Sequence, residues 1–201
     1  MLRARKVPVA RPREFDEKEV LDRALDTFWE KGFDGTSIAD LVEATGVARA
    51  SLYGAFGDKQ QLYERVLDHY RARVDDVVAN LDESLSSREA LRKLLRGWVE
   101  STCPKQGQRG CFLLLAGTQG GDAPFAREAL AEGLVRMEKH LTELVRRGQE
   151  RGELDPSRDA ASIARLLIVV VQGIAATARA GWSVARLRAV VDEVLAGVVP
   201  P

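Results

Sequence analysis

The stretch TSIADLVEATGVARASLYGAFGDK, Thr36 to Lys59, decides the fold. Gly46 stands between two short apolar segments, the first carrying Ile38, Leu41 and Val42, the second Val47 and Leu52. A turn that sets two helices near a right angle needs a residue without a Cβ at its left-handed position, and Gly46 supplies it. Thr36 and Ser37 are N-cap types for the first helix, which ends at Thr45-Gly46-Val47. The second runs through Leu52 to about Ala55, leaving Ala48, Arg49, Ala50, Ser51, Tyr53 and Gly54 outward. Small residues permit close approach to a groove floor. Arg49 can donate to guanine O6 and N7 or to phosphate, and Ser51 and Tyr53 offer hydroxyls to phosphate oxygens. Thr36, Ser37 and Lys59 stand at helix N-termini, where backbone N–H groups and the helix dipole favour an anion. A plain turn between two packed helices fits the same spacing, although a solvated face is usually richer in Lys and Glu than this one.

Upstream, Phe15-Asp16-Glu17-Lys18-Glu19-Val20 opens a helix. Asp16 is its cap, Glu19 a candidate capping-box partner and Phe15 a staple onto Val20. Val20, Leu21, Ala24, Leu25 and Phe28 line its inner face as far as Gly32, the expected stop. Before it, residues 1–14 form a basic arm in which Arg3, Arg5, Lys6, Arg11 and Arg13 precede any acidic residue. Such an arm can enter a minor groove, with Arg11 and Arg13 as the candidates, or remain a tail that never touches DNA.

Downstream the apolar spacing stays helical and strand signals are absent, so the class is all-α with about nine helices. Asp58 and Gln61 form a capping box for a long helix from Lys59 to about Leu81, and Ser86 with Glu89 opens another that Pro104 and Gly107 end. An apolar segment after Arg109-Gly110-Cys111 closes at Gly120-Gly121. Pro124 then starts a helix reaching Gly148 or Gly152. Asp155-Pro156 opens one to about Ala180, and Ser183 caps the last.

Phe28-Trp29-Glu30-Lys31-Gly32-Phe33-Asp34-Gly35-Thr36-Ser37-Ile38, Gly46-Val47-Ala48-Arg49-Ala50-Ser51-Leu52-Tyr53 and Phe56-Gly57-Asp58-Lys59-Leu62 together resemble the DNA-binding domain of TetR family repressors. The resemblance covers about residues 15–63. It implies a recognition helix at about Ala48 to Ala55, phosphate contacts from Tyr53 and Lys59, and a dimer on a palindromic operator. Beyond it the match is confined to helix count and order and to Gly110-Cys111-Phe112-Leu113. The organisation expected is an arm at 1–14, a helix-turn-helix domain at 15–60, and an effector-binding and dimerisation domain at 61–201.

The expected function is a repressor on double-stranded operator DNA, released by a small-molecule effector. The rival is a helical ligand-binding protein or enzyme that does not bind DNA. Tyr70, Trp98, Phe112, Gln119, Phe125 and Met137 are candidates to line an effector pocket. Ile163, Leu167, Val170 and Ile174, with Leu187, Val190, Val191 and Val194, carry more apolar surface than one small bundle hides. They are expected to pack against a second copy in a homodimer, the alternative being an internal core.

Net charge is zero, so any nucleic-acid argument rests on where charges sit. Cys111, behind Arg109 at a helix start, is a possible redox residue or simply a small apolar one, and two cysteines are too few for a disulfide framework. His69 and His140 have no partner at metal-ligand spacing, and no catalytic constellation or cofactor motif can be assembled. The longest apolar run, Ile163 to Ala178, is interrupted by Arg165, Gln172 and Gly173, which favours a cytoplasmic protein over a membrane one.

Overall fold

The carboxylate of Asp16 accepts hydrogen bonds from the backbone N–H of Lys18 (2.8 Å) and Glu19 (3.4 Å), so the first helix begins where its cap stands. Glu19 turns to Arg23 instead of closing a capping box, and the Phe15 ring stacks on Phe56 with centroids 6.3 Å apart. The computed structural model describes residues 15–81, 84–103, 109–118 and 124–198. The expectations for the arm with Arg11 and Arg13, for Pro104 and Gly107, for Gln119 and for the Gly120-Gly121 stop lie outside the described residues.

Among the described residues the regular structure is helical throughout: α1 (Glu17–Gly35), α2 (Ile38–Thr45), α3 (Arg49–Phe56), α4 (Lys59–Ala79), α5 (Ser87–Thr102), α6 (Phe112–Thr118), α7 (Pro124–Glu150), α8 (Ala160–Arg179) and α9 (Val184–Val198). Gly32 does not end α1 but bends it, with φ 71° and ψ 174°, and one further turn carries the chain to Gly35. Capping boxes at Ser37/Asp40, Asp58/Gln61 and Ser86/Glu89 fix the starts of α2, α4 and α5. One start moves. Asp155 accepts from Ser157 in a turn, and the cap of α8 lies four residues beyond it, at Asp159, which accepts from Ser162 N–H (2.8 Å).

Two cores result. One gathers α1 to α4 with α6 and the first half of α7 around Phe28, Leu25, Leu41, Val66, Leu67 and Phe112. The other is aliphatic and lies among α5, α7, α8 and α9, centred on Leu91, Val99, Leu167, Ile174, Leu187 and Leu195. Arg65 pairs with Glu17 (2.7 Å), and Asp22 takes both Arg73 (3.0 Å) and His69 Nε2 (2.8 Å), lacing α4 to α1.

The second core corrects the expectation for the dimer face. Ile163, Leu167, Ile174, Leu187 and Val191 are each 3% exposed or less within one chain, and Val170, Val190 and Val194 are half-buried. The reason is that α8 is enclosed by α5, α7 and α9 of its own chain, so its most apolar stripe is consumed internally. The apolar residues that α8 leaves outward are Leu166 (45% exposed) and Val169 (68%), continued by Gly173, Ala176 and the C-cap Ala180 and flanked by the exposed Ser162 and Arg165. By length and composition alone α8 could cross a membrane, but its buried stripe belongs to the internal core.

Candidate functional site

Gly46 has φ +70°, and its N–H donates to Val42 O (2.9 Å), so α2 stops in the left-handed turn that the sequence calls for. Thr45 secures the far side, its hydroxyl donating to Leu41 O (2.6 Å) and accepting from Val47 N–H (3.2 Å). Leu52 and Phe56 then anchor α3 inward. Ala48, Arg49, Ala50, Ser51, Tyr53 and Gly54 are all exposed, and Arg49 Nη2 reaches the Tyr53 hydroxyl at 3.4 Å with its guanidinium over that ring. No side chain caps α3, which leaves the N–H groups of its first turn without a side-chain acceptor. Chemically this is a small-residue ridge with a single cation, two hydroxyls and a bare helix N-terminus, able to approach closely and to donate to phosphate and base edges.

Not every residue expected on that surface lies on it. Thr36 is 1% exposed: its hydroxyl donates to Gly32 O (2.6 Å) and its N–H to Phe33 O (3.3 Å), because the bend of α1 folds over it. It is a strut inside the turn and no phosphate ligand. Lys59 is half-buried, with Nζ donating to Phe33 O (2.9 Å) and Thr36 O (3.0 Å) above the Phe33 ring. The ammonium thus clamps the end of α1, with one N–H left over. Ser37 stays outward, its hydroxyl exchanging hydrogen bonds with Asp40, which Lys31 also holds at 2.6 Å. These contacts keep the Asp40 carboxyl well below the usual carboxylate range, with Lys31 the largest cause.

A second site lies between the two cores. A cavity of about 490 Å³ is bounded by α1, α4, α5, α7, α8 and Arg109. Tyr70, Trp98 and Met137 line it as expected, whereas Phe112 and Phe125 do not. Both are spent on a chain of edge-on rings: Phe112 meets Tyr63 and Tyr70 at 5.8 and 5.6 Å, and Phe125 meets Phe33 and Tyr63 at 5.7 and 5.8 Å. Most of the lining was missed by sequence reasoning, and the part that bears on α1 is Leu25, Asp26 and Trp29 with Arg109 against them. Trp29 Nε1 donates to Arg109 O (3.1 Å), and the Arg109 guanidinium pairs with Asp26 and lies over the Trp29 ring. A Trp off the inner stripe of α1 was the available signal. Cys111 is buried, and burial pushes its thiol pKa up, opposite to the lowering that redox reactivity would need.

Residues 20–66 match the sequence model for bacterial regulatory proteins of the tetR family, and residues 87–194 the tetracyclin repressor-like C-terminal domain. The HTH-type transcriptional repressor ComR of Escherichia coli K12 is 31% identical over 191 residues, 92% of this chain and 90% of that protein. The repressor BdcR of the same organism is 30% identical over 178 residues, 88% and 86% of the two chains. Among solved structures, a cysteine mutant of the TetR family regulator CifR complexed with 26bp double-strand operator DNA superimposes with a TM-score of 0.80 at 34% identity. That match covers 92% of this chain and 98% of the other.

Proposed function

Since the chain belongs to the tetR family of bacterial regulatory proteins, and is a DNA-binding transcriptional regulator, not an enzyme, we propose that it represses transcription as a homodimer released from a palindromic operator by a small molecule. The observation that carries the proposal is the outward set of Arg49, Ser51 and Tyr53 on one face of α3, opposite the buried Leu52 and Phe56. Arg49 reads a base edge or phosphate, Tyr53, Ser51 and Ser37 hold backbone oxygens, and Arg11 and Arg13 of the arm reach an adjacent minor groove. Two copies meet through the stripe Leu166, Val169, Gly173, Ala176 and Ala180 of α8, with the outward alanines of α9 beside it, so that two recognition helices address successive major grooves.

The cavity is the effector site, and its wall supports a direct coupling. Leu25, Asp26 and Trp29 belong to α1, which carries α2, and Tyr70, Arg73 and Val74 to α4, which with α2 holds α3. A ligand that spreads the wall moves α1 through the Trp29–Arg109 contact and shifts the dimer towards a spacing that no longer fits the duplex. Linkage then requires operator DNA to weaken the ligand by the factor by which ligand weakens DNA. Selection of bound fragments from the source genome, followed by fluorescence anisotropy on the recovered site, tests the reading. Sequence-selective binding that Arg49→Ala weakens is expected, and a chain that retains no fragment selectively overturns it.

A further inference from the structure

Behind the cavity lies a recess of about 20 Å³ that shares the wall residues Tyr70, Val74, Val78, Trp98 and Met137 with it and reaches on to Cys111 and Gln172. A space of that size admits one group as large as a water molecule, for which about 10–15 Å³ suffices. Three polar atoms in this lining are buried and have no hydrogen-bond partner among the described residues: Nε1–H of Trp98, Oε1 of Gln172 and Nε–H of Arg71, whose charge is already matched by Asp68 and Glu132 through its other nitrogens. An indole nitrogen can only donate and an amide oxygen can only accept. Tyr70 is already engaged, directing its hydroxyl proton towards Cys111 Sγ at 3.9 Å and accepting from the Phe112 backbone N–H. The large majority of buried side-chain polar groups in folded proteins are matched by protein or water, and here an unmatched donor and an unmatched acceptor line one recess large enough for a third group.

The charges around both spaces are already taken. Asp26 pairs with Arg109, Arg73 with Asp22, Arg71 with Asp68 and Glu132, and Asp75 with Arg136 and His140. Among the described residues every lining charge already has a counter-charge, and an ion brought into this apolar space without one of its own is strongly disfavoured. The chamber itself is walled by aliphatic side chains of α4, α5 and α7 and by the Trp29 and Trp98 rings.

On the premise that the chamber is the effector site, we propose that the effector is a neutral, mainly apolar molecule ending in a hydroxyl group. The apolar body fills the chamber. The hydroxyl enters the recess, accepts from Trp98 Nε1–H and donates to Gln172 Oε1, satisfying both atoms at once. A carboxylate is rejected because it lacks the proton Gln172 requires and because the one lining cation with an open donor, Arg71, is already neutralised by Asp68 and Glu132. A bare hydrocarbon fits the chamber but leaves the two atoms unmatched.

Three probes of one shape separate these cases: 1-naphthol, naphthalene and 1-naphthoate, each titrated calorimetrically into the full chain at neutral pH. The expected order is naphthol above naphthalene by about tenfold, the worth of a hydrogen-bonded group in a dry site, with naphthoate unbound. Trp98→Phe and Gln172→Leu should each shrink the naphthol-to-naphthalene ratio towards unity. Because the ratio is taken within one variant, general loosening of the fold cancels. Should a variant fail to fold, the indole ¹⁵N–¹H resonance of Trp98 in the unaltered chain decides, moving with naphthol and not with naphthalene. Equal affinity for all three probes, tightest binding of naphthoate, an intact ratio in both variants, or no binding at all overturns the proposal. Anisotropy on the operator complex tests the premise separately: naphthol selectivity without DNA release keeps the ligand class and removes the effector role.

Discussion

The core around α1 and α4 carries a connected set of aromatic rings among its aliphatics, while the buried core among α5, α7, α8 and α9 is aliphatic throughout, and the difference divides the labour of the molecule. Phe28, Phe33, Tyr63, Tyr70, Phe112 and Phe125 meet edge to face, with neighbouring centroids as close as 4.7 Å for Phe28 and Tyr63. Such pairs have a preferred orientation worth about 0.5–1.5 kcal/mol beyond area burial, so they hold α1, α4, α6 and α7 at set angles. Aliphatic burial is non-directional and has no comparable penalty for a small slide. The chamber opens where the two kinds of packing meet, and Trp98 touches both clusters. A stiff joint beside a compliant bundle is an arrangement in which a ligand displaces the bundle and the joint carries the displacement to α3.

The sharpest way to break this contrast is to truncate one residue from each core. Phe112→Ala should cost about 3–5 kcal/mol and Leu167→Ala about 2–5 kcal/mol in urea unfolding, both side chains being 2% exposed or less. Operator affinity of the folded protein should fall only in the first, since Phe112 sits in the ring joint. Equal losses of DNA binding in the two variants would abolish the distinction. Arg49→Ala, outside both cores, should remove about 1–3 kcal/mol of operator binding and leave stability within about 0.5 kcal/mol; a shift of the unfolding midpoint would mean that Arg49 serves packing.

Gly46→Ala tests the turn that aims α3. An added Cβ would meet nothing within 4 Å, so the expected loss of about 1–2 kcal/mol is backbone strain alone. A melting temperature equal to that of the unaltered chain would contradict the left-handed turn. The smallest effect concerns acid. The Asp40 carboxyl on the α2 cap is held low by Lys31 and Ser37, so its contribution is complete above the unfolded value of about 4 and disappears as pH falls through the folded value. Glu89 on the α5 cap is lowered too, by Ser86. Asp40→Asn should flatten the low-pH decline of stability while leaving the part due to Glu89; an unchanged acid profile would show the cap to be idle.

Much of the recognition surface was legible because it depends on neighbours along the chain. A glycine at the turn, a serine three residues before an aspartate, and Leu52 alternating with exposed small residues are local facts. The burial of Thr36 and the carbonyl contacts of Lys59 were not foreseen for the complementary reason. Their fate depends on Gly32 bending α1 without ending it, which brings the carbonyls of Phe33 and Thr36 within reach of a lysine more than twenty residues away. The dimer face was misassigned on similar grounds: an apolar stripe on α8 announces burial but does not say whether the same chain or another provides it.

Helix number, most helix starts, the left-handed turn and the outward set on α3 are therefore properties of the sequence alone, since caps, φ preferences and helical periodicity act over a few residues. The chamber, its Trp29–Arg109 latch, the unmatched atoms of Trp98 and Gln172 and the outward stripe on α8 exist only once helices distant in sequence have packed. Periodicity tells which face of a helix avoids water, and only the assembled fold tells what that face meets.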